Sequence, residues 1–203
     1  MKLVFVYGAW STNGRLFDAD NLFDDPRGLT GSESSFYHYA NQMSLRGHEV
    51  TIYMPIKDYV EHKHGSLTIR NFEYYHDSKC GAIAMKPDAV IAWNEPQLLS
   101  TIGNGKILRV VNQQLNDFVY CPHNFQDWVD IFTSPSQTHM KYLLSLSNFD
   151  ESKWKVLPNG VDNSRFASVS SDDIDPNLVV YISSPDRGLH LLLNAWPMIL
   201  TRN

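Results

Sequence analysis

Two places in the chain combine residue types and spacing that could handle a phosphate. The first is Gly28-Leu29-Thr30-Gly31-Ser32-Glu33, directly ahead of an apolar stripe with helical period. Glycine permits a positive φ or a close backbone approach to a ligand. Free N–H groups at a helix start favour an anion such as a diphosphate. Thr30 adds a side chain that either crowds such a ligand or donates a hydrogen bond to it. The plainer alternative is a turn that only starts a helix. The second place is Arg187, between a strand end and a helix start. A guanidinium there can stabilise the charge that builds on a leaving diphosphate. The plainer alternative is a solvent-facing arginine.

Other residues carry weaker signals. Residues 112–125 form a long polar loop after a strand, on the sheet edge where ligands bind in parallel α/β folds. Asp117 and His123 are its candidates to hold a ligand hydroxyl, although a lone loop histidine is more often plain surface. Trp93-Asn94-Glu95-Pro96 reads as a strand end with Asn94 as a simple cap and Pro96 in the first turn, an acceptor contact being the less favoured alternative. His62 and His64 lack a third ligand, so no metal site is expected. Cys80 and Cys121 read as free thiols of a reducing compartment.

Alternating strands and helices must position these residues. Residues 3–7, 49–54, 89–93, 106–111, 129–132 and 156–157 read as strands. Several are continuous apolar runs, as expected of strands buried on both faces. Phe36, Tyr39, Ala40 and Met43 form one apolar helical stripe, with Ser32 as the expected cap and Gly47 as the stop. Residues 57–65 read as a loop. A second helix is expected to be capped by Ser136, with Met140, Leu143 and Leu144 on its inner face. The expected fold is α/β, a doubly wound Rossmann-like parallel sheet. It spans residues 1–166. Residues 167–177 are small and acidic and read as a linker. Residues 178–203 read as the first strand (178–182) and first helix (188–200) of a second domain.

Composition narrows the function. Hydrophobic residues make up 43% and charged residues 19%, enough for a real core. A net charge of -5 argues against nucleic acid as a partner. The N-terminus lacks a signal-peptide pattern, and no apolar run is long enough to span a membrane. A cytoplasmic protein is therefore expected, with peripheral membrane contact left open.

Four segments, in order, resemble glycosyltransferase family 4. They are residues 28–33 with Arg46-Gly47-His48-Glu49-Val50; Ser134-Pro135-Ser136; Pro158-Asn159-Gly160-Val161-Asp162 with Phe166; and Tyr181-Ile182-Ser183-Ser184-Pro185-Asp186-Arg187-Gly188-Leu189 with Trp196-Pro197. The resemblance implies a GT-B fold and a retaining, nucleotide-sugar-dependent hexosyl transfer that needs no metal or other cofactor. It implies that residues 1–166 are the acceptor-side domain and that residues 178–203 open a donor-binding domain. Gly28, Thr30, Gly31 and Arg187 would then face the donor diphosphate, and Asp117 and His123 the sugar and acceptor. The acceptor would be a glycan, a lipid or a small molecule. The family's E-x(7)-E motif is absent, so the chain alone is expected to be nearly inactive. The alternative is a non-catalytic sugar- or nucleotide-binding module completed by a partner chain. A nicotinamide-dependent oxidoreductase is disfavoured, because Gly8-Ala9-Trp10-Ser11-Thr12-Asn13-Gly14 lacks G-x-G-x-x-G spacing. The apolar tail is expected to pack on the first domain or on a second copy of the chain.

Overall fold

The computed structural model describes residues 1–8, 14–22, 29–103, 105–118, 121–146, 148–161, 163, 170, 174–183 and 185–201. These form two compact units, Met1–Gly160 and Val161–Asn203. The first holds an eight-stranded, mostly parallel sheet, compatible with a Rossmann-like fold. Its strands are β1 (Lys2–Val6), β2 (Glu49–Met54), β3 (His62–His64), β4 (Leu67–Asn71), β5 (Ala89–Trp93), β6 (Leu108–Asn112), β7 (Ile131–Ser134) and β8 (Trp154–Val156). Their spatial order is β3-β4-β2-β1-β5-β6-β7-β8. Only the edge strand β3 runs antiparallel, against β4.

Both faces of the sheet are covered, which explains the unbroken apolar runs. Leu3, Phe5 and Tyr7 of the first strand region point to one face, with Val50, Ile52, Leu67, Ile69 and Trp93. Helix α1 (Gly31–Leu45) buries Phe36 and Ala40 on this side. Val4 and Val6 point to the other face, with Val90, Ala92, Val111, Phe132 and Trp154. Helix α2 (Gln137–Ser145) adds Met140 and Leu143 there, while Leu144 is only partly buried.

Local chemistry sets the ends of the helices. Ser136 caps α2, accepting from the His139 amide. Gly47 takes φ 86 after α1, and the His48 amide turns back onto the Met43 carbonyl. The cap of α1 is Thr30 and not Ser32. Thr30 and Glu33 close a capping box that releases Ser32 for another role.

The structure departs from the sequence expectation at other points. Residues 57–65 contain β3, and β4 follows it with alternating burial, so the sheet is wider on that side than expected. The run 178–182 forms no strand: Leu178, Val179, Val180 and Ile182 are exposed, and no neighbouring strand pairs with them among the described residues. The helix expected at 188–200 does form, as α3 (Leu189–Leu200), with none of its residues buried. The first unit closes at Gly160, directly after Pro158-Asn159-Gly160. Phe166 and most of the expected linker lie outside the described residues. Among the described residues, no helix is long and apolar enough to cross a membrane.

Candidate functional site

The strand order creates one topological switch. From β1 the chain steps to β2 and β4 on one side, then crosses to β5 on the other. In open α/β sheets ligands bind outside the carboxyl ends of the strands at such a point. Four pieces meet here: Tyr7 and Gly8 after β1, the first turn of α1, Asn94 and Glu95 after β5, and the loop after β6.

Ser32 joins three of these pieces. Its Oγ receives the Trp93 indole N–H at 3.1 Å, the Asn94 amide at 3.2 Å and the Tyr7 hydroxyl at 3.4 Å. Burial pushes Tyr7 up to about 12, opposed by the Ser32 bond and reinforced by the Glu33 and Glu95 carboxylates. The phenol is therefore protonated at neutral pH and can serve as a donor.

The start of α1 is partly self-satisfied. Glu33 is buried and accepts the Thr30 amide at 2.7 Å, while its own amide is held by Thr30 Oγ1 at 3.4 Å. Arg15 reaches the same carboxylate at 3.3 Å. The first-turn amides of Gly31 and Ser32 stand outside this box. Gly31 is exposed, and a Cβ added there would meet nothing within 4 Å.

The loop after β6 supplies amides. Asn94 Oδ1 accepts from the backbone N–H of Gln114 at 2.7 Å and of Leu115 at 3.3 Å. Gln113 is fully buried and donates to the carbonyls of Leu115 and Asp117. Gln114 donates to Asn112 Oδ1 and exchanges side-chain bonds with Asn159. Ser35 also donates to Asn159, and Tyr39 donates to the Pro158 carbonyl at 2.6 Å, so the 158–160 turn is fastened to α1. His139 Nδ1 lies 2.9 Å from Ser134 Oγ and its Nε2 lies 3.1 Å from the Leu115 carbonyl. A carbonyl only accepts, so Nε2 carries a proton and the ring serves as a strut for the loop.

This edge offers hydroxyls and primary amides more than reactive groups. Such groups hydrogen-bond well to a polyhydroxylated ligand. Burial, with the Glu95 and Asp117 carboxylates adding to it, pushes the Cys121 thiol up to about 11, so it is not a thiolate at neutral pH. Among the described residues no three His, Cys, Asp or Glu side chains gather as a metal site.

The residues singled out in the sequence fall as follows. Thr30 and Gly31 stand at the start of α1, on the switch edge. Gly28 lies outside the described residues. Asp117 and His123 are exposed in the loop after β6. The Asp117 carbonyl, held by Gln113, is what anchors that loop. Arg187 is exposed in the second unit, in the short turn Pro185–Arg187 before Gly188, whose φ is 102. Asn94 is not a helix cap. Glu95 occupies the cap position of the turn Pro96–Leu99, with no side-chain cap bond, and Asn94 takes φ 62. Ser32, Gln114 and Asn159 lie in segments that the sequence singles out, but nothing local marks them individually as site residues, and Asn94 reads there as a cap ahead of an acceptor contact. Thr30-x-x-Glu33 was the available signal that Ser32 is not the cap.

No protein-family model matches the chain, and no curated protein matches it either.

Proposed function

We propose that Met1–Gly160 is the acceptor-side domain of a retaining, nucleotide-sugar-dependent glycosyltransferase resembling family 4, of GT-B type. One observation carries this reading: at the β1/β5 switch, the first turn of α1 and the end of β5 are tied together through Ser32, beside a loop rich in primary amides. Neutral amides and hydroxyls suit a sugar, and the free amides of an α-helix start suit a phosphate. The segments 28–33, 46–50, 134–136 and 158–162, taken in sequence order, carry the family resemblance. On this reading Thr30 and Gly31 serve the donor diphosphate, and the 112–125 loop serves the sugar and the acceptor. No metal enters the reaction.

A second reading is a binding module without turnover. It is favoured by Glu33, a buried carboxylate that already holds one amide at the start of α1 and offsets part of the positive end of the helix.

One experiment tests both. The purified chain is incubated with a panel of nucleotide sugars and, separately, with a nicotinamide dinucleotide, with melting temperature and nucleoside diphosphate release both measured. Binding raises the melting temperature by mass action. A selective rise with slow diphosphate release, as expected of a chain nearly inactive on its own, supports the transferase. A selective rise without release supports the binding module. A rise with a nicotinamide dinucleotide alone contradicts both.

A further inference from the structure

We propose that Asn94 is the positioning residue of this edge: it fixes the spacing between the first turn of α1 and the 113–117 loop, so that one ligand can engage both. The proposal rests on reading the edge as a sugar site.

Backbone geometry is the first reason. Asn94 has φ 62, a left-handed conformation in a non-glycine residue directly after a central strand. Asparagine enters this conformation more readily than most residues, and non-glycine residues held there cluster at ligand sites. Here the Asn94 amide is fixed to the Asn112 carbonyl at 3.0 Å.

The second reason is where the side chain goes. Two backbone N–H groups, of Gln114 and Leu115, point at one atom of the Asn94 amide. That atom must be the oxygen, which fixes the amide's orientation. The nitrogen then faces Ser32 Oγ at 3.2 Å. A single side chain, 7% exposed, thereby spans both parts of the edge. An exposed route also connects them, from Gln114 through Asn159 to Ser35, but its bonds lie at 3.1 to 3.2 Å where water competes. The Asn94 route is the better shielded one.

The third reason is that both ends are braced. The Trp93 N–H and the Tyr7 hydroxyl also converge on Ser32 Oγ; with two lone pairs the oxygen is shared among three donors, the Tyr7 bond being the longest, and Ser32 is confined from every side. The Leu115 carbonyl is held from the opposite side by His139. Asn94 therefore links two fixed groups.

Two substitutions test the role. Asn94→Gly accepts the same backbone conformation but removes all three side-chain bonds. Asn94→Asp keeps an acceptor for Gln114 and Leu115. In Asn94→Gly, hydrogen exchange at the Gln114 and Leu115 amides is expected to speed up about tenfold or more, while the β2 and β5 amides keep their protection. In Asn94→Asp the two loop amides should regain protection. The affinity for whichever nucleotide sugar or simple glycoside shifts the native melting temperature should fall about tenfold in Asn94→Gly and recover in part in Asn94→Asp. Unchanged exchange at Gln114 and Leu115 in the glycine variant overturns the proposal. So does an aspartate variant that folds without restoring them. If the glycine variant does not fold, protection in the aspartate variant decides alone: native-like protection supports the role and its loss overturns it. A native chain that binds no sugar ligand tells against the sugar reading, and the exchange result still decides the role of Asn94.

Discussion

Gly8 and Glu95 face each other across the β1/β5 switch. A Cβ built on Gly8 would stand 2.7 Å from both Cδ and Oε1 of Glu95, inside the van der Waals envelope of a carboxylate that is itself buried. The two residues are packed as a pair: the strand end can come this close only because residue 8 has no side chain.

Gly8→Ala therefore forces Glu95 or the backbone to move. Overpacking of this kind costs roughly 1–3 kcal/mol. The urea midpoint should fall without a change in slope. By contrast Gly31→Ala, where the added methyl meets open space, should leave the midpoint close to native. Equal effects of the two substitutions would contradict this packing.

The start of α1 makes a second prediction. Thr30→Ala removes a cap and should cost about 1 kcal/mol. Glu33→Ala also removes the partner of Arg15, an ion pair whose side chains are 13% and 5% exposed. Losing both the box and this pair should cost more than losing the cap alone. Denaturation midpoints should therefore rank native, Thr30→Ala, Glu33→Ala. The reverse order for the two variants would show that Arg15 does not depend on Glu33.

A histidine outside the site sets a pH dependence. His62 Nδ1 lies 2.8 Å from Asp20 and Nε2 lies 2.9 Å from Asp58. Carboxylates only accept, so both bonds need both ring nitrogens protonated. The bond to Asp58, and then that to Asp20, holds His62 above its ordinary value, while burial opposes them. The same His62 bond holds the Asp58 carboxyl below its ordinary value. Nearby charges are otherwise engaged: Lys57 with Asp18, and Arg70 and Lys63 with Glu61. The sign follows from linkage. A raised histidine contributes its full stability below the ordinary imidazole value, about 6.5, and loses it as pH rises through the raised value. The lowered Asp58 contributes above the ordinary carboxylate value, about 3.9, and loses it as pH falls. The stability difference between native protein and His62→Ala should thus be largest between about pH 5 and 6 and shrink toward about pH 9. A difference that does not change across that range would contradict the double bridge.

Most of the sheet was legible in the sequence. Residues 49–54, rich in β-branched and aromatic types, and the continuous apolar run 89–93 are both bounded by turn residues, and they form β2 and β5 with those bounds. β3 and β4 were harder. His62-Lys63-His64 is polar because it forms an edge, and β4 buries only Leu67, Ile69 and Asn71, an alternation easily lost among charged neighbours. The run 178–182 shows the opposite error: apolar residues alone make no strand without a partner to pair with.

The site was legible only in outline. Thr30 and Gly31 stand on the switch edge because a helix starts at Gly31 with Thr30 as its cap, and the pattern of glycines and apolar residues indicates a helix start there. The roles of Ser32 and Asn94 depend on side chains that meet across 62 positions of sequence. No local pattern carries such a contact. The left-handed turn at Asn94 is equally hidden, since asparagine is common both there and at caps.

The most direct test of the central claim is where a sugar ligand binds. Amide and indole NMR shifts would be followed while the chain is titrated with the nucleotide sugar that most raises its melting temperature, or with the whole panel if none does. The account predicts that the amides of Gly31, Ser32, Gln114 and Leu115 and the Trp93 indole move together and saturate at one concentration. Saturable shifts confined to other residues, or no saturable shift with any member of the panel, would contradict it.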